Sequence, residues 1–319
     1  MLPPSVESLA ALAQGLPDFP GGASVAEPVV DPTLAVYLDY YHLDFAGRLP
    51  GVGHRIGTLQ SGPYRLAVQA WEQPGARHNL LLLHGYFDHT GLYGHLVAHG
   101  LARGANVLIF DLPGHGLSSG APASIDNFAS YGAAVSDVLA GAGFPSLPWS
   151  VIAQSTGGAA LVEFARRSDE AWPFRNTVLL APLLRPAQWW RVCLAHTLVH
   201  RFLDSVPRRF AENSSDREFL DFVRRDPLQS QRIPVAWVGA LRRWLAGLRR
   251  EDLGVGSALL VQGDADQTVD WRYNLPQYGQ LFPGLRIELL PGAGHHLANE
   301  AVALRERYLR VVDRYCGWR

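Results

Sequence analysis

The chain has 319 residues, of which 48% are hydrophobic and 18% charged, enough for a sizeable buried core and too apolar for a disordered polypeptide. Its 28 basic and 29 acidic side chains give a formal net charge of −1, so no overall field draws it to nucleic acid, which is not expected as a partner. The two cysteines, Cys193 and Cys316, exclude a disulfide scaffold, and neither lies in a CxxC pair of the kind used for zinc or for thioredoxin chemistry.

The N-terminus, Met1-Leu2-Pro3-Pro4-Ser5, lacks a basic segment followed by an apolar one, so it does not read as a secretory signal. No apolar run reaches the roughly 18 residues of a membrane span, and the expectation is a soluble cytoplasmic protein. Residues 1–50 read as an N-terminal arm that packs on the main body, first rich in Pro, Gly and Ala and then aromatic through Tyr37, Tyr40, Tyr41 and Phe45. Tyr64 to Trp71 reads as an early strand, with Leu66, Val68 and Ala70 alternating. Short apolar runs follow at Leu80–Leu83, Asn106–Phe110, Trp149–Ala153, Thr177–Leu180, Ala258–Val261 and Leu285–Leu290. Several are continuously apolar, as strands buried on both faces of a parallel sheet are. Helical patterns lie near 92–103, 126–141, 157–167, 272–282 and 299–315. This alternation predicts a doubly wound, mostly parallel α/β sheet.

One stretch breaks the rhythm. The residues between the strand ending near Leu180 and the one starting near Ala258 are far too many for a crossover, so they read as a helical insertion. Within it, residues 185–250 hold 13 arginines against six acids, a net charge of +7, together with Trp189, Trp190, Trp237 and Trp244. Two readings suit that composition: an apolar acyl channel whose arginine rim favours anionic head groups or an anionic membrane surface, or a solvated arginine face over a packed tryptophan core.

Ala153-Gln154-Ser155-Thr156-Gly157 follows an apolar strand and opens a helical pattern, the context of a nucleophile elbow. Small residues two positions either side of Ser155 let strand and helix crowd together. A serine hydroxyl needs an adjacent base, and that base an orienting acid. Asp264 and Asp266 lie in one loop after a predicted strand, His295 and His296 in another. If the strands are parallel, Ser155, Asp266 and His295 all emerge on the sheet edge where such folds place ligands. Asp264 and His296 are neighbours competing for the same parts. The backbone N–H groups of Thr156 and, in the turn after His84-Gly85, of Tyr86 are the candidates for receiving a developing oxyanion. The loop from Asp111 to Gly120 does not match a phosphate-binding pattern, and no cofactor or metal is expected. His84-x-Tyr86-x-Asp88-His89 echoes a binuclear zinc motif, but Tyr86 stands where a ligand is needed.

Taken together, these residues resemble the α/β-hydrolase superfamily, and within it the branch of monoacylglycerol lipases and bacterial lysophospholipases. The matching pieces are His84-Gly85 with His89 and Tyr93, the loop Asp111…Gly114-His115-Gly116…Ser118…Gly120, the Ser155 elbow, Gly263…Asp266, and Gly294-His295 followed by Asn299-Glu300. The elbow departs mildly, with Ala153 where glycine is usual. The resemblance covers about residues 56–316. It implies Ser155 as nucleophile, His295 as general base, Asp266 as its orienting acid, a hydrolase core at 51–182 and 256–319, and a helical cap at 183–255. A serine at the elbow separates the chain from epoxide hydrolases and haloalkane dehalogenases of the same fold, which attack with aspartate. The expected activity is hydrolysis of carboxylic esters, with lipid-like monoesters such as monoacylglycerols or lysophospholipids as substrates. Hydrolysis of small esters, thioesters or amides is the alternative, and a non-catalytic binding protein the remote one. Caps vary most among relatives, so substrate identity transfers poorly.

Overall fold

The computed structural model of the chain describes residues 3–19, 31–167 and 171–319. Three helices come first: α1 (Val6–Gly15), α2 (Pro32–Tyr40) and the short α3 (Phe45–Arg48). Asp31 caps α2 by accepting the Thr33 N–H at 2.7 Å, with Pro32 at the first helical position where its missing N–H costs nothing. A hairpin follows, β1 (Gly53–Ser61) and β2 (Tyr64–Glu72), turning through Gly62 at φ +52°. Then β3 (His78–Leu83), α4 (Gly94–Ala102), β4 (Ala105–Phe110), α5 (Ala129–Gly141), β5 (Trp149–Gln154), α6 (Thr156–Arg167) and β6 (Phe174–Leu180) alternate as the apolar pattern predicts.

After β6 comes the insertion: α7 (Trp189–Val199), β7 (Ser205–Pro207), α8 (Arg217–Arg225), β8 (Arg232–Pro234) and α9 (Val235–Gly247). It is helical, as expected, but also carries the antiparallel ribbon β7–β8. The chain then returns to the sheet with β9 (Leu259–Gly263), α10 (Trp271–Leu281), β10 (Arg286–Leu290) and α11 (Val302–Cys316).

The described strands form an eight-stranded sheet in the order β1-β2-β4-β3-β5-β6-β9-β10. Within this sheet only β1–β2 and β2–β4 pair antiparallel; its other ladders are parallel. The strand β1 has no counterpart in the sequence reading, because its apolar positions are interrupted by Gly57, Thr58 and Gln60. It is held by nine paired positions with β2 rather than by its own pattern. Alternation sends Leu81, Leu83, Phe110, Val151 and Leu260 to one face, under α5, α6, α9 and α10. Leu80, Leu82, Ile109, Ile152 and Val261 face the other way, under α4, α11 and the N-terminal helices.

The insertion is divided against itself. On α9, seven residues are buried, among them Trp237 and Trp244. None of the residues of α7 is buried. The four tryptophans therefore do not make one core: Trp237 and Trp244 pack on the sheet's helices, while Trp190 stands 65% exposed. Among the described residues no helix is long and apolar enough to cross a membrane.

Candidate active site

Ser155 lies between β5 and α6 at φ +51°, a left-handed backbone that a non-glycine residue adopts only where its surroundings enforce it. Three hydrogen bonds hold it: its N–H donates to Leu180 O, and its carbonyl accepts from the N–H groups of Gly158 and Leu183, each at 2.9 Å. The crowding that a small residue relieves is measurable at Gly157, where a Cβ would sit 2.5 Å from the Leu83 carbonyl oxygen. The helix can thus start directly against β3, with the serine lifted above the strand ends.

Asp266 and His295 come from the loops after β9 and β10 to the same edge. His295 Nε2 lies 2.9 Å from Ser155 Oγ, and its Nδ1 lies 2.8 Å from Asp266 Oδ2. Asp266 also accepts from Gln262 Nε2 at 2.9 Å and from the backbone N–H groups of Thr268 and Val269 at 2.7 and 3.1 Å. Burial by itself would raise its carboxyl, but the attraction of His295 and these donors together hold it below the ordinary carboxylate value. For His295 burial favours the neutral ring, yet the Asp266 charge and hydrogen bond, helped by Asp88, leave it raised above the usual imidazole value. A hydroxyl against an imidazole nitrogen, with the other nitrogen fixed on a carboxylate, is set up for removal of the hydroxyl proton.

The rival residues go elsewhere. Asp264 accepts the Gly292 N–H at 2.7 Å and is exposed. His296 turns to Asp88, with Nε2 3.1 Å from its Oδ1. The metal-like residues are likewise dispersed. His84 lies between Gly85 O and the Leu112 N–H, while His89 pairs with Asp226. Among the described residues no three His, Cys, Asp or Glu side chains are grouped to share a metal ion.

The loop after β3 closes the site. Asp88 accepts the Gly85 N–H and the Tyr93 hydroxyl, both at 3.1 Å, and Phe87 takes φ +69°. A Cβ on Gly85 would lie 3.2 Å from Ser155 Cβ, so this turn runs against the serine. Among the described residues no hydrogen bond uses the N–H of Tyr86 or of Thr156. The Tyr86 ring is clamped, stacked on Trp237 of α9 at 3.8 Å with its hydroxyl donating to Ala123 O at 2.7 Å.

The partners of several supporting residues carry no signal in sequence. Gln154 Oε1 accepts the Ala298 N–H, and its Nε2 donates to His295 O, tying the elbow to the histidine loop. Glu300 accepts the N–H groups of Gly294 and Ser215, joining that loop to the insertion. Asp226, at the end of α8, pairs with His89 at 2.8 Å while Tyr41 of the arm donates to it at 2.6 Å. Partners this far apart in sequence leave no spacing to recognise. Above Ser155 lies a cavity of about 180 Å³, walled by Phe87, Phe210, Phe219, Leu220, Val223 and Ile233 and by Arg208, Arg209 and Arg224.

Residues 74–301 match the family model of the serine aminopeptidases S33, which is most of the chain and includes Ser155, Asp266 and His295. The chain belongs to this family. A search of the curated proteins found no match. Among solved structures, a monoglyceride lipase from Saccharomyces cerevisiae superposes with a TM-score of 0.69 at 16% identity, over 82% of this chain and 93% of that one. A monoacylglycerol lipase from Paleococcus ferrophilus gives 0.66 at 21% identity, over 79% and 98%. An esterase from Exiguobacterium antarcticum gives 0.59 at 13% identity, over 81% and 98%. At such identities the likeness establishes the α/β-hydrolase fold. As a member of the S33 family the chain is a hydrolase of the serine type.

Proposed function

We propose that this S33-family protein hydrolyses carboxylic esters through an acyl-enzyme on Ser155. His295 Nε2 takes the proton from Oγ as the hydroxyl attacks the ester carbonyl, then passes it to the leaving alcohol. Asp266 holds the ring so that Nδ1–H points at the carboxylate and steadies the imidazolium. The N–H groups of Thr156 and Tyr86 receive the oxyanion. Water, activated by the same histidine, releases the acid. The observation that carries this reading is the unbroken chain Ser155 Oγ–His295–Asp266 at 2.9 and 2.8 Å on one sheet edge. The test is Ser155→Ala: turnover should fall by about 10³-fold or more, leaving only what binding and the oxyanion donors supply, with the melting temperature kept. A variant with full activity overturns the assignment.

Lipid-like monoesters suit the site best. The cavity walls are mainly aliphatic and aromatic, and the fold is shared with two lipases. At about 180 Å³ the cavity is smaller than the roughly 300–1,000 Å³ of ordinary ligand sites, so a long acyl chain requires the insertion, residues 183–255, to act as a cap that yields. The comparison to make is kcat/KM on a short nitrophenyl ester, a long-chain monoacylglycerol and a lysophospholipid. A preference of tenfold or more for the long chains supports the lipid reading; a preference for the short ester moves the substrate to small esters, thioesters or amides.

The cap offers a place for a lipid surface. Trp190, Leu194 and Leu198 recur every fourth residue on α7, 54–65% exposed, and Phe202 follows at 82%. Arg191 and Arg201 flank them, as a helix resting on anionic lipid requires. Vesicles containing phosphatidylserine should therefore bind the protein, and Trp190→Ser with Phe202→Ser should abolish binding while leaving stability within about 0.5 kcal/mol. Equal, negligible binding to neutral and anionic vesicles overturns this contact.

A further inference from the structure

We infer that the cavity over Ser155 contains an anion subsite built on Arg208, so that the preferred substrate carries a carboxylate or phosphate beside the ester it presents to the serine. The inference rests on the hydrolase reading above and narrows its substrate class.

Arg208 follows β7 in the insertion. Its guanidinium lies 3.8 Å from the centre of the Phe87 ring and 4.4 Å from that of Phe210, which fixes its plane. One corner is engaged: Nη1 donates to Gln229 Oε1 at 2.8 Å and to Ser230 O at 3.2 Å. Gln229 is itself buried and donates to Phe87 O at 2.9 Å, so the arginine and the loop beside the serine are one assembly. Among the described residues no hydrogen bond uses Nε or Nη2 and no carboxylate is paired with this side chain. The Nε–Nη2 edge presents two parallel N–H donors, the fork that grips a carboxylate or phosphate.

Among the described residues no carboxylate touches it, and Asp88 and Asp226 attract it only from a distance. Asp88, the acid among the cavity walls, has its oxygens taken by Gly85, Tyr93 and His296. Arg209 and Arg224 add positive charge at the same cavity. Burial presses the Arg208 guanidinium down to about 10, against the attraction of Asp88, Tyr86 and Asp226. A half-buried cation held rigid and unpaired in an apolar cavity is costly unless a ligand completes it. Location sets the spacing. Arg208 lies on Phe87, whose neighbour Tyr86 offers a free N–H on the turn that runs against Ser155. The bound anion is therefore a near neighbour of the scissile carbonyl, not the far end of a long chain.

The test uses competition against fluorophosphonate labelling of Ser155 by octyl phosphate and octanol, which share one chain and differ in charge. Wild type should be protected by octyl phosphate at about 10- to 100-fold lower concentration than by octanol, the range of a charge-assisted hydrogen-bonded pair. Arg208→Gln should bring that ratio close to one, and Arg208→Lys, which keeps the charge without the fork, should fall between. Arg249→Gln, at an exposed arginine of the insertion outside the cavity, should keep the wild-type ratio. Nonanoate in place of octyl phosphate tells a carboxylate preference from a phosphate one. Equal protection by both ligands in wild type overturns the subsite. So does an Arg208→Gln protein that binds both more weakly with the ratio intact, which is the behaviour of a purely structural clamp. Failure of the hydrolase reading looks different: wild type does not label and Ser155→Ala retains turnover. Calorimetric titration of octyl phosphate into wild type and Arg208→Gln then still decides the subsite, since a ratio of affinities near one overturns it there as well.

Discussion

The sheet edge and the seam that holds the insertion over it are both buried polar clusters, but they are assembled on different terms. At the edge, Ser155, Asp266 and His295 each follow one of the mutually parallel strands of the sheet, so regular strand pairing brings them together. At the seam, His89 from a core loop, Asp226 from the insertion and Tyr41 from the arm meet with no shared ladder. Here three side chains, not a strand ladder, bring three parts of the chain to one point. Backbone regularity can place catalytic groups at low risk, whereas a junction of side chains depends on each of its members. The seam should therefore be the more fragile of the two when a single residue is changed.

The largest effect expected is at that seam. The side chains of His89 and Asp226 are fully shielded from solvent, so Asp226→Ala leaves an unpaired buried imidazole and phenol and should cost about 3–5 kcal/mol. Urea unfolding measures it. An unchanged midpoint would mean that the insertion is held by apolar packing and that the contrast with the sheet edge is unfounded. A smaller loss is expected at the edge. Gly157→Ala pushes a Cβ to 2.5 Å from Leu83 O, which the backbone must relieve, for about 1–3 kcal/mol and a fall in turnover as Ser155 is displaced. Full stability with reduced turnover would show that the strain is borne by the turn carrying Ser155 alone.

Protonation sharpens the contrast further, because both clusters contain a raised histidine with opposite consequences. His295 must be neutral to accept a proton, so kcat/KM should climb with pH through an acid limb above 6.5, the ordinary histidine value. Asp266→Asn should move that limb down. His89 is raised despite burial by the Asp226 charge and hydrogen bond, so its stabilising share is complete below 6.5 and is lost as pH rises through its folded value. Asp226 is held low against burial by His89 and Tyr41, so its share is complete above the ordinary 3.8 and is lost on further acidification. The stability gap between wild type and Asp226→Asn should therefore be widest between about pH 4 and 6.5 and narrow above it. A gap independent of pH would remove the ion pair from the account of the seam.

Periodicity reveals elements whose burial is decided locally, and it falls silent where partners decide. The runs at Leu80–Leu83 and Asn106–Phe110 are short, continuously apolar and buried throughout, as central strands covered on both faces are. By contrast β1 is a strand because β2 offers nine positions to pair with, which its interrupted pattern does not announce. Trp237 and Trp190 lie in comparable apolar helical stretches, yet one stacks on Tyr86 and the other faces solvent.

The same division runs through the site. That Ser155, Asp266 and His295 share one edge follows from the order of strands and loops along the chain, since a parallel sheet sends all its strand ends the same way. Which of two adjacent residues turns toward the serine is a matter of side-chain direction. The structure sends Asp266 and His295 inward, Asp264 to Gly292 and His296 to Asp88. The stacked Arg208 and the meeting of Tyr41, His89 and Asp226 belong wholly to tertiary structure. Their members are brought together across more than a hundred residues by packing, and nothing in local sequence encodes a distance of that kind.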